Sequence, residues 1–227
     1  MRLFGTDHIA ALVVTAICCA VAVAVGRRLR GTPAARIAGR SLALVLLAAQ
    51  IADPFIAHDL GWLRWNNSLP LELCDAASFA VMLALWGQRQ LAFELAYFWG
   101  LAGTLPAIVT PDLGNALSFP DPEVVRFLTL HTGIVAGVFY LGPGLGMRPR
   151  RGAEYRVLGM TLAYAALIGI VNWALDANYM YLCVRPTASP LDWFGPWPWY
   201  LVGATAMAAV MFSALALPYR FSRSGGS

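Results

Sequence analysis

Apolar residues fall into seven blocks along the chain, at 8–26, 41–57, 69–88, 91–109, 123–142, 156–176 and 198–217. Each approaches the ~20 residues that a helix rising 1.5 Å per residue needs to cross the hydrocarbon core. Polar and turn-forming residues separate them. The second block is the most interrupted, because Gln50, Asp53 and Pro54 fall near its end. The pattern predicts an all-α polytopic membrane protein, a seven-transmembrane-helix bundle. The first block is not a cleaved leader: Arg2 and Asp7 precede it, and Arg27-Arg28-Leu29-Arg30 follows it where a small-residue cleavage site would stand. It reads as an uncleaved anchor.

Composition narrows the class. Of 227 residues 59% are hydrophobic and only 12% charged, with a mean hydropathy of +0.63, which excludes a soluble domain, a disordered chain, a nucleic-acid-binding module and a secreted disulfide scaffold. Seven spans consume roughly 140 residues, so the chain reads as a single domain over 1–220 with a flexible tail at 221–227. No internal repeat suggests a duplicated transporter.

Charge then gives direction. All 16 basic residues are arginines. Arg27, Arg28, Arg30, Arg36, Arg40, Arg89, Arg148, Arg150, Arg151, Arg156, Arg220 and Arg223 fall on one side of the spans, whereas only Arg2, Arg64 and Arg185 fall on the other and Arg126 lies within a span. Positive residues mark the inner side, so the N-terminus is expected outside and the C-terminus inside, as an odd number of spans requires. Trp193, Trp197, Trp199 and Tyr200 suit an outer interface belt.

With that topology the intramembrane polar groups gather toward the outer leaflet: Gln50 and Asp53 in the second span, Glu72, Cys74 and Asp75 in the third, Arg126 and His131 in the fifth, Asn172 and Asp176 closing the sixth. Glu94 is the exception, at the inner start of the fourth. Ionisable groups inside a membrane face the bundle interior, a wet cavity or one another, and this set predicts a shared outer cavity, with interhelical hydrogen bonding as the alternative for any one residue. Cys74 lies ~8 Å and His131 ~12 Å into their spans. A thiol beside an imidazole suits covalent acyl chemistry, in which His takes the proton and the thiolate attacks a carbonyl. Asp75 or Asp176 is available to orient the imidazole, and Arg126 to hold a phosphate or an oxyanion. A Cys74–Cys183 disulfide is the rival reading of the same sulfur. Cys18 and Cys19 read as small buried hydrophobes, and His8 and His58 as solvated span-end residues. No metal-ligand spacing, phosphate loop or serine elbow is present, so neither metal nor cofactor is expected.

Leu69-Pro-Leu-Glu-Leu-Cys-Asp75, Tyr97-Phe-Trp-Gly100, Thr110-Pro-Asp-Leu113, His131, Asn178-Tyr-Met-Tyr-Leu182 and Gly195-Pro-Trp-Pro-Trp-Tyr200 together resemble the YwaF family of integral membrane proteins, in order over about residues 60 to 200. The resemblance implies kinship with eukaryotic transmembrane acyltransferases that act on lyso ether phospholipids, and more distantly with androgen-induced membrane hydrolases of fatty-acid esters. It implies Cys74 as nucleophile and His131 as its base. The function expected is an intramembrane lipid acyltransferase or transacylase of a bacterial plasma membrane, working at the outer leaflet on phospholipids or lysophospholipids. Glu72, Asp75, Arg126, Asn172, Asp176 and Asn178 would support the site or bind substrate. A lipid-ester hydrolase with the same dyad and a non-enzymatic lipid or solute carrier are the alternatives.

Overall fold

The computed structural model describes residues 3–59, 61, 63–111, 119–186 and 189–221. The expected flexible tail beyond Phe221, the charges of Arg2 and Arg223, and most of the turn that follows Thr110 lie outside the described residues. Among the described residues the regular structure is entirely helical, in seven long elements. They are α1 (Thr6–Leu29), α2 (Pro33–Asp59), α3 (Leu73–Gly87), α4 (Gln90–Val109), α5 (Pro122–Gly144), α6 (Ala153–Leu175) and α7 (Trp199–Phe221).

Six of these helices are long and apolar enough to cross a membrane; α3 is the seventh and shorter one. Its 15 residues extend about 22 Å at 1.5 Å per residue, short of the ~30 Å core. The expected span at 69–88 therefore begins four residues late. Tyrosines from elsewhere hold the preceding backbone: the Leu69 amide donates to the Tyr179 hydroxyl at 2.9 Å and the Tyr164 hydroxyl to the Leu71 carbonyl at 3.0 Å. Glu72 then starts the helix as a capping box, its side chain accepting from the Asp75 backbone while the Asp75 carboxylate accepts from the Glu72 amide at 3.0 Å. Conversely α2 begins at Pro33, eight residues before the expected block. Pro suits a first helical position, and Arg36 and Arg40 have long stems that keep their charge at an interface while the backbone stays helical.

α4 and α5 form the centre of the bundle. Phe93, Phe98, Ala96, Ile134 and Leu141 are fully enclosed, whereas α1, α2, α6 and α7 turn Val13, Ile17, Val45, Phe55, Leu167, Ile170 and Val210 outward. That apolar outside is what a lipid-facing surface requires. α3 packs on α2 and α4, α1 lies along α5, and α6 pairs with α7. Both central helices contain one π-helical turn, Gly100–Thr104 in α4 and Tyr140–Gly144 in α5. Close approaches rely on glycine: a Cβ on Gly26 of α1 would stand 2.7 Å from the Cα of Gly144, so the two backbones touch as small residues permit between membrane helices.

Candidate functional site

At the end of the bundle opposite the arginines, α2, α3 and α5 bring their polar residues together. Asp53 pairs with Arg126, and the Gln50 side-chain amide donates to Asp75 at 3.3 Å. These are contacts between helices, which satisfy charges that would be costly alone in hydrocarbon. Arg126 thus spends its guanidinium on Asp53, and Asp75 is held by Gln50 and by its own helix cap. A 160 Å³ cavity beside them is lined by Asp53, Ile56, Ala57, Asn67, Ser68, Glu123 and Arg126.

Cys74 is the second residue of α3. Its sulfur accepts a hydrogen bond from the Thr104 hydroxyl at 3.8 Å, and Thr104 is completely buried at the end of the π turn of α4. His131 sits buried on α5 with its ring stacked on Phe127 at 3.9 Å between centroids. Nδ1 lies 2.8 Å from the Phe127 carbonyl. A carbonyl only accepts, so Nδ1 carries the proton and Nε2 of the neutral ring presents its lone pair. The imidazole is oriented by that carbonyl and not by Asp75 or Asp176. No hydrogen bond joins Cys74 and His131, although α3 and α5 are packed neighbours.

The cysteines are all free. Cys183 is exposed in the connection between α6 and α7, so the rival Cys74–Cys183 disulfide is absent.

That connection is built by two asparagines. Asn172, buried at the end of α6, accepts from the Tyr179 amide and donates to the Tyr179 carbonyl, both at 2.9 Å. Asn178 accepts from the amides of Cys183 and Val184 at 2.9 and 3.0 Å and donates to the Val184 carbonyl at 2.8 Å. Both side chains are thereby occupied in shaping backbone. Asp176 is exposed and ends α6 in a left-handed conformation. Glu72 receives the Met180 amide at 2.9 Å, which ties this connection to the start of α3 and so to Cys74. The Tyr179 hydroxyl donates to the Trp65 carbonyl at 2.8 Å and accepts from Leu69, and burial raises its pKa.

Elsewhere, Glu94 is fully enclosed and accepts from Gln90 at 3.1 Å, from the backbone and guanidinium of Arg150 at 2.8 to 3.0 Å, and from Arg156 at 2.8 Å. His8 departs from its expected solvated state: it has no exposed surface, its Nδ1 accepts the Phe4 amide at 2.9 Å and its Nε2 meets the Ile108 carbonyl at 3.0 Å. The apolar residues around it gave no sign of this, since its partners are backbone groups. His58 remains exposed beside Asp59.

A second cavity, of about 790 Å³, runs between α1, α2 and α5 from Asp7 and Phe119 to Val25 and Tyr140. It is nearly all apolar, and neither Cys74 nor His131 lines it. The polar residues at this end of the bundle are largely satisfied by one another and by backbone, so they do not line one broad wet cavity. Thr104 is the residue that sequence reasoning missed; Gly100 and Gly103 just before it were the available signal of irregular helix. Among the described residues no group of three or more His, Cys, Asp or Glu side chains is placed to hold a metal ion.

Comparison with known proteins adds kinship to this geometry. The chain is 29% identical to an uncharacterized protein of Treponema pallidum (strain Nichols) over 164 residues, 71% of this chain and 66% of that protein. The match thus spans just under two thirds of the relative's length. No solved structure matches. A family model covers residues 3–216, from before α1 into the last turns of α7, and with it the cap at Glu72, Cys74, Thr104 and His131: the chain belongs to the TMEM164 family.

Proposed function

We propose that the protein is a lipid acyltransferase of the membrane, with Cys74 as nucleophile and His131 as general base. One observation carries the reading: a free thiol at a helix N-terminus, held by a buried hydroxyl, lies on a helix packed against the one that carries an imidazole with a free Nε2. Nε2 accepts the thiol proton, Sγ bonds to the carbonyl carbon of a donor lipid ester, and the expelled alkoxide of the lyso-lipid recovers that proton. A second lipid hydroxyl, deprotonated at the same nitrogen, then attacks the thioester and frees Cys74. Base-to-nucleophile contacts commonly tighten only when substrate binds, which accommodates the separate hydrogen bonds of the resting side chains. Water reaching the thioester first would make the same site a hydrolase.

The reading includes α3 as a seventh, short span, with the N-terminus outside and the site toward the outer leaflet, supported by the arginine distribution. The resemblance to YwaF proteins supports the same chemistry.

The test uses purified protein in vesicles of phosphatidylethanolamine and phosphatidylglycerol carrying a labelled acyl chain and an added lyso-lipid. The parent is expected to move label to the acceptor and to carry an acyl mass on the Cys74 peptide. Cys74→Ala and His131→Gln are expected to do neither. Undiminished transfer by both variants would sink the dyad.

A further inference from the structure

Ser78 is the one buried side-chain hydroxyl among the described residues that has no hydrogen-bond partner, and it has no exposed surface. A hydroxyl removed from water and left unpaired destabilises the folded chain, so its position calls for explanation. It stands four residues after Cys74 on α3, one turn deeper on the same face. Two further residues of that face are fixed by contact: a Cβ on Gly137 of α5 would meet Val81 at 2.5 Å and Leu85 at 3.5 Å. The row Cys74, Ser78, Val81, Leu85 therefore looks toward α5.

The central helices complete the frame. Val138 and Ile134 of α5 lie against Gly100, at 3.1 and 3.3 Å from where its Cβ would be. His131 precedes Val138 by seven residues, two turns along the same face, so it is carried toward α4 on the side of Gly100 where Thr104 lies. The π turn of α4 touches both α3 and α5. Thr104 is already bonded to the Cys74 sulfur, whereas Ser78 is bonded to nothing.

We propose that Thr104 and Ser78 form a two-hydroxyl cradle for acyl transfer at Cys74, Thr104 holding the sulfur and Ser78 donating to the acyl carbonyl oxygen. The inference rests on the acyltransferase reading. When Sγ bonds to the carbonyl carbon, the carbonyl π pair moves onto oxygen; the Ser78 hydroxyl hydrogen-bonds that charge without transferring its proton. The pair returns as the lyso-lipid alkoxide leaves. Thr104 is a positioning residue that acts through sulfur. Its hydroxyl stabilises the thiolate before attack and keeps it aimed between α3 and α5. The π turn sets the angle at which Thr104 meets α3.

Two readouts separate the roles, both followed on the Cys74 peptide by mass. The first is alkylation by iodoacetamide as a function of pH, which depends on the thiolate alone. Thr104→Val is expected to slow it about tenfold at neutral pH and to move its midpoint to higher pH, with Thr104→Ser restoring both; Ser78→Ala is expected to leave it unchanged. The second is acylation by p-nitrophenyl octanoate, an activated ester that needs no lipid recognition. Ser78→Ala is expected to slow it about a hundredfold. If Thr104→Val fails to assemble, Thr104→Ala carries the same comparison. Parent-like alkylation after loss of the Thr104 hydroxyl would overturn its role, and parent-like acylation by Ser78→Ala would overturn that of Ser78. Failure of the acyltransferase reading itself shows differently, as a parent protein that reacts with both reagents at Cys74 but gains no acyl group from lipid vesicles.

Discussion

Glu94 is completely enclosed and takes three hydrogen bonds from Arg150, one from its backbone and two from its guanidinium. The carboxylate raises the pKa of Arg150, keeping the pair ionised. The contact fastens α4 to the connection after α5, and Arg156 adds the start of α6. Glu94→Ala is expected to destabilise the protein by about 2 kcal/mol, below the 3–5 of a fully enclosed pair, because both arginines are partly exposed and regain water. Glu94→Gln should cost less, since it still accepts the backbone amide. Melting in detergent with each variant checks the order.

Asn172 is expected to govern the connection between α6 and α7. Asn172→Ala leaves the Tyr179 amide without its partner and its carbonyl with only the Leu182 amide at 3.4 Å, a loss of about 1–3 kcal/mol. Asn172→Asp keeps an acceptor for the amide but sets a carboxylate against the carbonyl, so it should rescue only in part. Hydrogen exchange over residues 178–184 should rise in both variants, more strongly in the alanine one.

Cys183 offers a probe of orientation. It is exposed, whereas Cys74 lies against Thr104. A membrane-impermeant maleimide is expected to label Cys183 in right-side-out vesicles and to miss it in inverted ones until detergent is added. The reverse pattern would invert the proposed topology. Intact mass should be the same with and without a reducing agent, and Cys183→Ser should leave the melting temperature unchanged.

Two glycines should respond differently to one added methyl group. In Gly26→Ala the new atom meets the backbone of Gly144 at 2.7 Å, whereas in Gly133→Ala it meets the tip of the Leu46 side chain at 2.6 Å. A leucine changes rotamer; a helix backbone must translate. Overpacking costs about 1–3 kcal/mol, and Gly26→Ala is expected near the top of that range with Gly133→Ala near or below its foot. Equal melting temperatures would contradict the tight contact between α1 and α5.

Much of this architecture was legible in the sequence. All seven apolar blocks form helices, because hydropathy averaged over a span tolerates errors at single positions. The ends were less legible: α3 starts late because Tyr179 and Tyr164, about a hundred residues away, hold its approach, and no local pattern records such a bond. The clustering of Glu72, Cys74, Asp75, Gln50, Asp53 and Arg126 at one end followed from depth alone, but depth does not say who pairs with whom. Arg126 and Asp75 seemed free for substrate, and they are engaged by Asp53 and Gln50. His8 misled because its partners are backbone atoms, and Thr104 passed unnoticed because a threonine in an apolar helix usually bonds to its own backbone.

The π turn in α4 also bears on how the family's sequences are compared. A π turn carries one residue more than the α-helical path it replaces, so removing a single residue between 99 and 105 restores regular pitch and leaves the helix beyond it facing nearly as before. Thr104, at the end of that turn, would keep its place against α3 in a helix one residue shorter. Gap placement over Trp99–Leu105 therefore decides which residue of a relative is matched to the hydroxyl facing the cysteine, and an alignment scored on hydropathy alone would not register the difference.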